Sequence, residues 1–307
     1  MRPARLRFFN EQDTPELEAL FADAGVVRHL RALDAGVTMG LRDLTPGRAR
    51  VLRALADEGV PVGAWLLLPA AQGYFATLDN AAQVAARYRE VHAWARREGL
   101  AFEAVGLDFE PHLEELGRLV AHPARTVAAW AWRARDRRRL ARAREAYGAL
   151  LREVREDGHR VEAYQFPTLL EERRGGGSFW QRFAGSLDVE VEREVVMVYS
   201  SLLGPLGPGA VEAWAPRCRA VAVGSTGGGI DPLPKLTWGA LARDLRVAAR
   251  ACADVSVFSL EGCVQQGFLA RLVDFDWAAP LTPTPLAPRA GLAVARAVMA
   301  GVSRLAG

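Results

Sequence analysis

Two carboxylates stand one residue apart in Val105-Gly106-Leu107-Asp108-Phe109-Glu110-Pro111. Side chains alternate along a strand, so Asp108 and Glu110 share a face with Gly106, and Val105, Leu107 and Phe109 share the other. The apolar face suits burial against helices, which turns both acids inward. Burying such a pair is costly unless the charges are partnered or one is protonated. Close carboxylates also split their titrations, leaving one ionised and one able to donate a proton. That is the equipment of a general acid. A structural salt-bridge site or a helix N-cap would use the same two residues, and the tripeptide alone leaves those readings open.

The elements around the pair supply a frame for it. Runs of β character at 5–9, 36–41, 60–68, 102–109, 161–166, 194–199, 220–224 and 255–260 alternate with helical segments. Thr14-Pro15-Glu16 and Thr45-Pro46 read as helix starts, and Val84, Tyr88, Val91 and Trp94 recur at three- or four-residue steps. Strands apolar on both faces and alternating with helices indicate a parallel sheet covered on its outside. Eight such units predict an α/β chain closed as a (β/α)8 TIM barrel, a single domain over 1–307. Rim insertions are expected at 111–137 and 171–193, after strands four and five, and a C-terminal helix at 286–306 packed on the barrel. No Gly-x-Gly-x-x-Gly follows the first strand, which counts against a dinucleotide fold.

With 307 residues and a formal net charge of +3, the chain has an ordinary globular profile and does not point to nucleic acid. Cys218, Cys252 and Cys263 lack metal-ligand spacing, and the scattered histidines form no metal motif. No cofactor is expected. No run is apolar enough to span a bilayer, and the N-terminus lacks the pattern of a signal peptide. A cytoplasmic location follows, or a secreted one if the chain is trimmed. Oligomeric state is left open.

Strand six ends Met197-Val198-Tyr199-Ser200 and strand eight ends Val257-Phe258-Ser259-Leu260-Glu261. Together with Asp108-Phe109-Glu110, these ends resemble the family-18 glycoside hydrolases, the chitinase-like barrels, as a distant relative. That family carries Asp-Gly-x-Asp-x-Asp-x-Glu on strand four and Met-x-Tyr-Asp on strand six. The resemblance implies retaining, substrate-assisted hydrolysis of a 2-acetamido sugar. Glu110 would protonate the leaving oxygen, Asp108 would orient the acetamido nitrogen, and Tyr199 would hydrogen-bond the acetamido oxygen. Here Gly106 stands where the family has its middle aspartate, Glu103 where it has the first, Ser200 after the tyrosine, and Phe258 at the floor tryptophan.

For a sugar without an acetamido group, Glu261 is the candidate second carboxylate and Asp13 a weaker one. Helix capping is an equal alternative for Glu261. Trp65, Tyr74, Tyr164, Gln165, Trp180 and Phe258 are candidate sugar contacts, because pyranose C–H faces pack on aromatic rings. For Trp65 and Tyr164 interior packing is the competing role. Two other functions stay open: a carbohydrate-binding barrel without catalysis, and a barrel enzyme for a phosphorylated metabolite held at Gly227-Gly228-Gly229.

Overall fold

A computed structural model describes residues 2–228 and 234–307. Eight parallel strands close in chain order, β1 (Arg5–Asn10), β2 (Ala35–Leu41), β3 (Val62–Leu66), β4 (Ala104–Asp108), β5 (Arg160–Gln165), β6 (Arg193–Val198), β7 (Ala220–Gly224) and β8 (Asp254–Phe258). β8 returns to pair with β1, setting Arg7 opposite Ser256 and Phe9 opposite Phe258. The expected (β/α)8 barrel is therefore the observed architecture, with a C-terminal helix at Leu286–Ala306.

Alternation along each strand separates two apolar clusters. One lies between sheet and helices and takes Leu6, Phe8, Val105, Leu107 and Phe109. The other fills the barrel with Phe9, Trp65, Tyr164, Val195, Met197 and Phe258. β4 is shorter than the apolar run in the sequence and ends at Asp108. Its alternation continues nonetheless. Ala76 N–H donates to Asp108 O at 2.8 Å, and Phe109 N–H donates to Tyr164 O at 3.1 Å. Phe109 thus stays fully buried outside the barrel, and Glu110 follows toward its mouth.

The segment after β4 forms two helices, Leu113–Ala121 and Pro123–Arg133. Leu113 and Leu116 pack against the interior aromatic cluster. The segment after β5 forms helices Thr168–Gly175 and Phe179–Ala184, and serves a different purpose. Its glycines let the C-terminal helix approach: a Cβ on Gly175 would lie 2.4 Å from Ala300 O, and one on Gly177 would lie 2.1 Å from Ser303 O. Among the described residues no helix is long and apolar enough to cross a membrane.

Arg48, fully buried, ties the loops after β1 and β2 together. It donates to Gly40 O at 2.9 Å, Gln12 O at 2.8 Å and Asp43 Oδ2 at 3.0 Å. Burial works to raise the Asp43 carboxyl, but Arg48 and the Thr14 and Thr45 hydroxyls outweigh it and hold it far below the usual carboxylate range. Asp43 therefore adds stability above the carboxylate range, and this is lost as the pH falls through its lowered pKa. Arg48→Met strands Asp43 and two carbonyls, so a loss of about 3–5 kcal/mol is expected in urea unfolding at neutral pH. A change under about 1 kcal/mol would deny Arg48 this role.

Candidate active site

The C-terminal mouth of the barrel brings four carboxyl groups toward one another. Asp108 and Glu110 come from the end of β4. Glu11 follows β1, one alternation beyond Phe9. Glu261 enters from the first turn of helix Leu260–Gln265, after β8. Asp108, Glu11 and Glu261 are buried, whereas Glu110 is half-buried.

Their protonation reflects crowding. Burial raises Asp108 well above the ordinary carboxylate range, and the neighbouring Glu110 and Glu11 add to the effect. Glu110 is pushed up to about 8 by burial and by Glu11. Burial likewise raises Glu261 to about 7. Glu11 is raised by burial too, but the Tyr74 hydroxyl donates to its Oε1 and Arg42 lies near enough to oppose the shift. Glu11, with the Tyr74 hydroxyl and Arg42 opposing its shift, is thus equipped to hold a negative charge, while Asp108 and Glu110 are both held toward their protonated forms.

Tyr199 reaches the same place from β6. Burial raises its phenol, and Asp108, Glu110 and Glu11 reinforce the shift in that order. Its ring lies 5.6 Å from that of Phe258. The two acids of β4 and the tyrosine of β6 thus come together, as the alternation pattern requires. Three polar atoms here are buried without a well-formed hydrogen bond: Asp108 Oδ1 and Trp65 Nε1, whose residues are close enough for the indole to oppose the rise of the Asp108 pKa, and Glu261 Oε1. Each costs roughly 1–3 kcal/mol when unsatisfied, and such atoms at a strand mouth are what a polar ligand would complete.

The other candidates divide. Tyr74 stands in the site as the donor to Glu11, at a positive φ of 69°. Trp65, Tyr164 and Phe258 form a packed layer inside the barrel with Phe9. Phe9 and Tyr164 meet edge to face at 4.9 Å, and Phe9 and Trp65 at 5.4 Å. At 2 % and 1 % exposure, Trp65 and Tyr164 offer no open face for a sugar ring. Gln165 lies on the opposite parity from Tyr164 and donates to Leu187 O at 2.6 Å, outside the barrel. Trp180 donates to Met299 O at 2.9 Å and meets Phe179 and Phe183 edge to face, fastening the C-terminal helix. The structure does not bring Gln165 or Trp180 to the mouth. Asp13 pairs with Arg42 at 3.2 Å.

Glu261 accepts from Asn10 Nδ2 at 3.0 Å, while Ser259 is the residue that caps its helix. Of the glycine run, Gly229 lies outside the described residues. Gly228 has φ of 82°, and a Cβ there would sit 2.2 Å from Glu261 Oε1. That glycine makes room for a carboxylate, a poor neighbour for phosphate. Gly106 has a similar reason. A Cβ on it would lie 2.1 Å from the Tyr164 hydroxyl, so Tyr164 fills the space that a middle aspartate on β4 would need. Glu11 is the functional candidate that residue patterns missed. The signal was available, because Arg7, Phe9 and Glu11 share one parity.

No family model matches the chain, and no curated protein matches it. Solved structures share the barrel at low identity. A family GH18 chitinase from Chromobacterium violaceum is 14% identical over 88% of this chain and 82% of that one, with a TM-score of 0.48. A 3-keto-D-glucoside 4-epimerase from E. coli is 14% identical over 87% and 97%, TM-score 0.46. A D-allulose 3-epimerase from Methylomonas sp. is 12% identical over 84% and 85%, TM-score 0.46. These similarities reach no further than a distant barrel relationship. Barrels host many chemistries, so function has to be read from the site.

Proposed function

We propose that the mouth binds a carbohydrate and hydrolyses a glycosidic bond, with Glu110 as general acid. The observation that carries this reading is the meeting of Asp108, Glu110 and Tyr199 at one end of the barrel, with Glu110 the more exposed acid. Glu110 donates its proton to the leaving glycosidic oxygen as the C–O bond breaks. On a 2-acetamido sugar, the substrate's carbonyl oxygen attacks the anomeric carbon, and water later opens the resulting ring with retention. Asp108, beside the Trp65 indole, receives the acetamido N–H. The Tyr199 phenol donates to the acetamido oxygen. Glu11, supported by Tyr74 and Arg42, supplies negative charge for the oxocarbenium-like transition state.

A carbohydrate-binding barrel without hydrolysis is the second reading. It is favoured by Tyr164 occupying the place of a supporting aspartate behind Asp108. A panel of fluorogenic glycosides, with and without 2-acetamido groups, separates the two. The acid must be protonated, so turnover is expected to fall as the pH rises through about 8, the value to which Glu110 is pushed. An acidic limb should appear where Glu11 loses its charge. A wild-type protein that releases no reporter from any glycoside at any pH would leave only the binding reading.

A further inference from the structure

The N-terminal end of the barrel holds a second polar compartment that none of this chemistry uses. Its floor is the lowest inward layer of side chains. Arg193 donates to Glu162 at 3.0 Å and to Asp254 at 2.9 Å, and Arg7 donates to Glu103. Each arginine nevertheless keeps one buried nitrogen unpartnered, Arg7 Nη1 and Arg193 Nη2. Arg7 is only 3% exposed. The Ser256 hydroxyl, opposite Arg7 in the register, is unpartnered as well. Guanidinium nitrogens only donate, so what this floor lacks is an acceptor.

The charge around the cavity points the same way. The carboxylates of the floor are already engaged by Arg7 and Arg193. Two more in the wall, Glu192 and Glu194, turn to Arg155 and Arg173, which lie outside the cavity. Arg5, Arg160 and Arg219 line the cavity as exposed side chains with no ion-pair partner among the described residues. The space they enclose is ≈ 740 Å³, within the roughly 300–1,000 Å³ of small-molecule sites. Planar guanidinium forks match phosphoryl oxygens in bidentate geometry.

We propose that this end of the barrel is a binding site for a phosphorylated small molecule. Arg7 and Arg193 receive the phosphoryl oxygens at the floor, and Arg160 and Arg219 hold them at the rim. Lying opposite the carboxylate mouth, the site takes an effector or second ligand and not the group being cleaved. The site rests on its own residues and stands whether or not the mouth hydrolyses sugars.

Inorganic pyrophosphate is the probe, titrated calorimetrically into the full chain at constant ionic strength set with sodium chloride. Wild type should bind saturably and unfold at a higher temperature with the ligand present. Arg160→Ser/Arg219→Ser, which alters only exposed side chains, should bind at least about tenfold more weakly. Glu110→Gln, at the other end, should bind as wild type does. No binding beyond the chloride background, equal binding by the rim double variant, or loss of binding in Glu110→Gln would each overturn the proposal.

Discussion

Glu110→Gln is expected to abolish most turnover and, at alkaline pH, to make the protein more stable. The catalytic part follows from losing the proton donor, worth about 10²- to 10⁴-fold in rate, while glycan affinity persists because the amide keeps the shape of the acid. The stability part follows from linkage. Glu110 is pushed up to about 8 in the folded chain from an ordinary 4.5. Its proton therefore stabilises the native state fully below about 4.5, and this contribution is lost as the pH rises through 8. Glutamine carries no charge to bury. A shift of that size sets a ceiling of roughly 5 kcal/mol, and the partial exposure of Glu110 reduces the gain to about 1–3 kcal/mol at pH 9. Urea unfolding of both proteins at pH 5 and pH 9 measures it. Equal stabilities at the two pH values would show that Glu110 titrates as an ordinary surface acid. Unchanged turnover would remove it from the chemistry.

Gly106→Ala should be the most damaging methyl group one could add to β4. The new Cβ would lie 2.1 Å from the Tyr164 hydroxyl and 2.5 Å from its Cζ. Tyr164 cannot swing aside, because its ring is held between Phe9 and Trp65 and its hydroxyl donates to Glu162 at 3.2 Å. Overpacking of this kind costs about 3 kcal/mol, or roughly 6 °C in the unfolding midpoint of a chain this long. Tyr164→Ala combined with Gly106→Ala should lose less than the sum of the two single changes, since the cavity accepts the methyl. Strict additivity would mean that the two positions do not compete for space. The same collision leaves no room for an aspartate at 106.

Much of this could be read from residue patterns because alternation is local. The eight strands, the inward pair on β4 and Tyr199 on β6 each need only a short stretch of chain to be recognised. Glu11 lies beyond the first strand that the apolar run marks, which stops at Phe9, while pairing with β2 carries β1 on to Asn10. Tyr164 and Gln165 cannot both contact one sugar from inside the barrel, because adjacent strand residues face opposite ways. Trp180 is a different case. Its place depends on how closely Gly175 and Gly177 admit a helix more than a hundred residues away, and no local pattern encodes that distance.

The aromatic layer of Phe9, Trp65, Tyr164 and Phe258 acts as a septum across the lumen. Carboxyl groups gather on its C-terminal side and guanidinium groups line the cavity on its N-terminal side. Tyr164 spans two levels, its ring in the layer and its hydroxyl on Glu162 below. The two ends therefore meet electrostatically at that tyrosine, whose phenol feels Glu162, Arg193 and Arg7 below and Asp108 above.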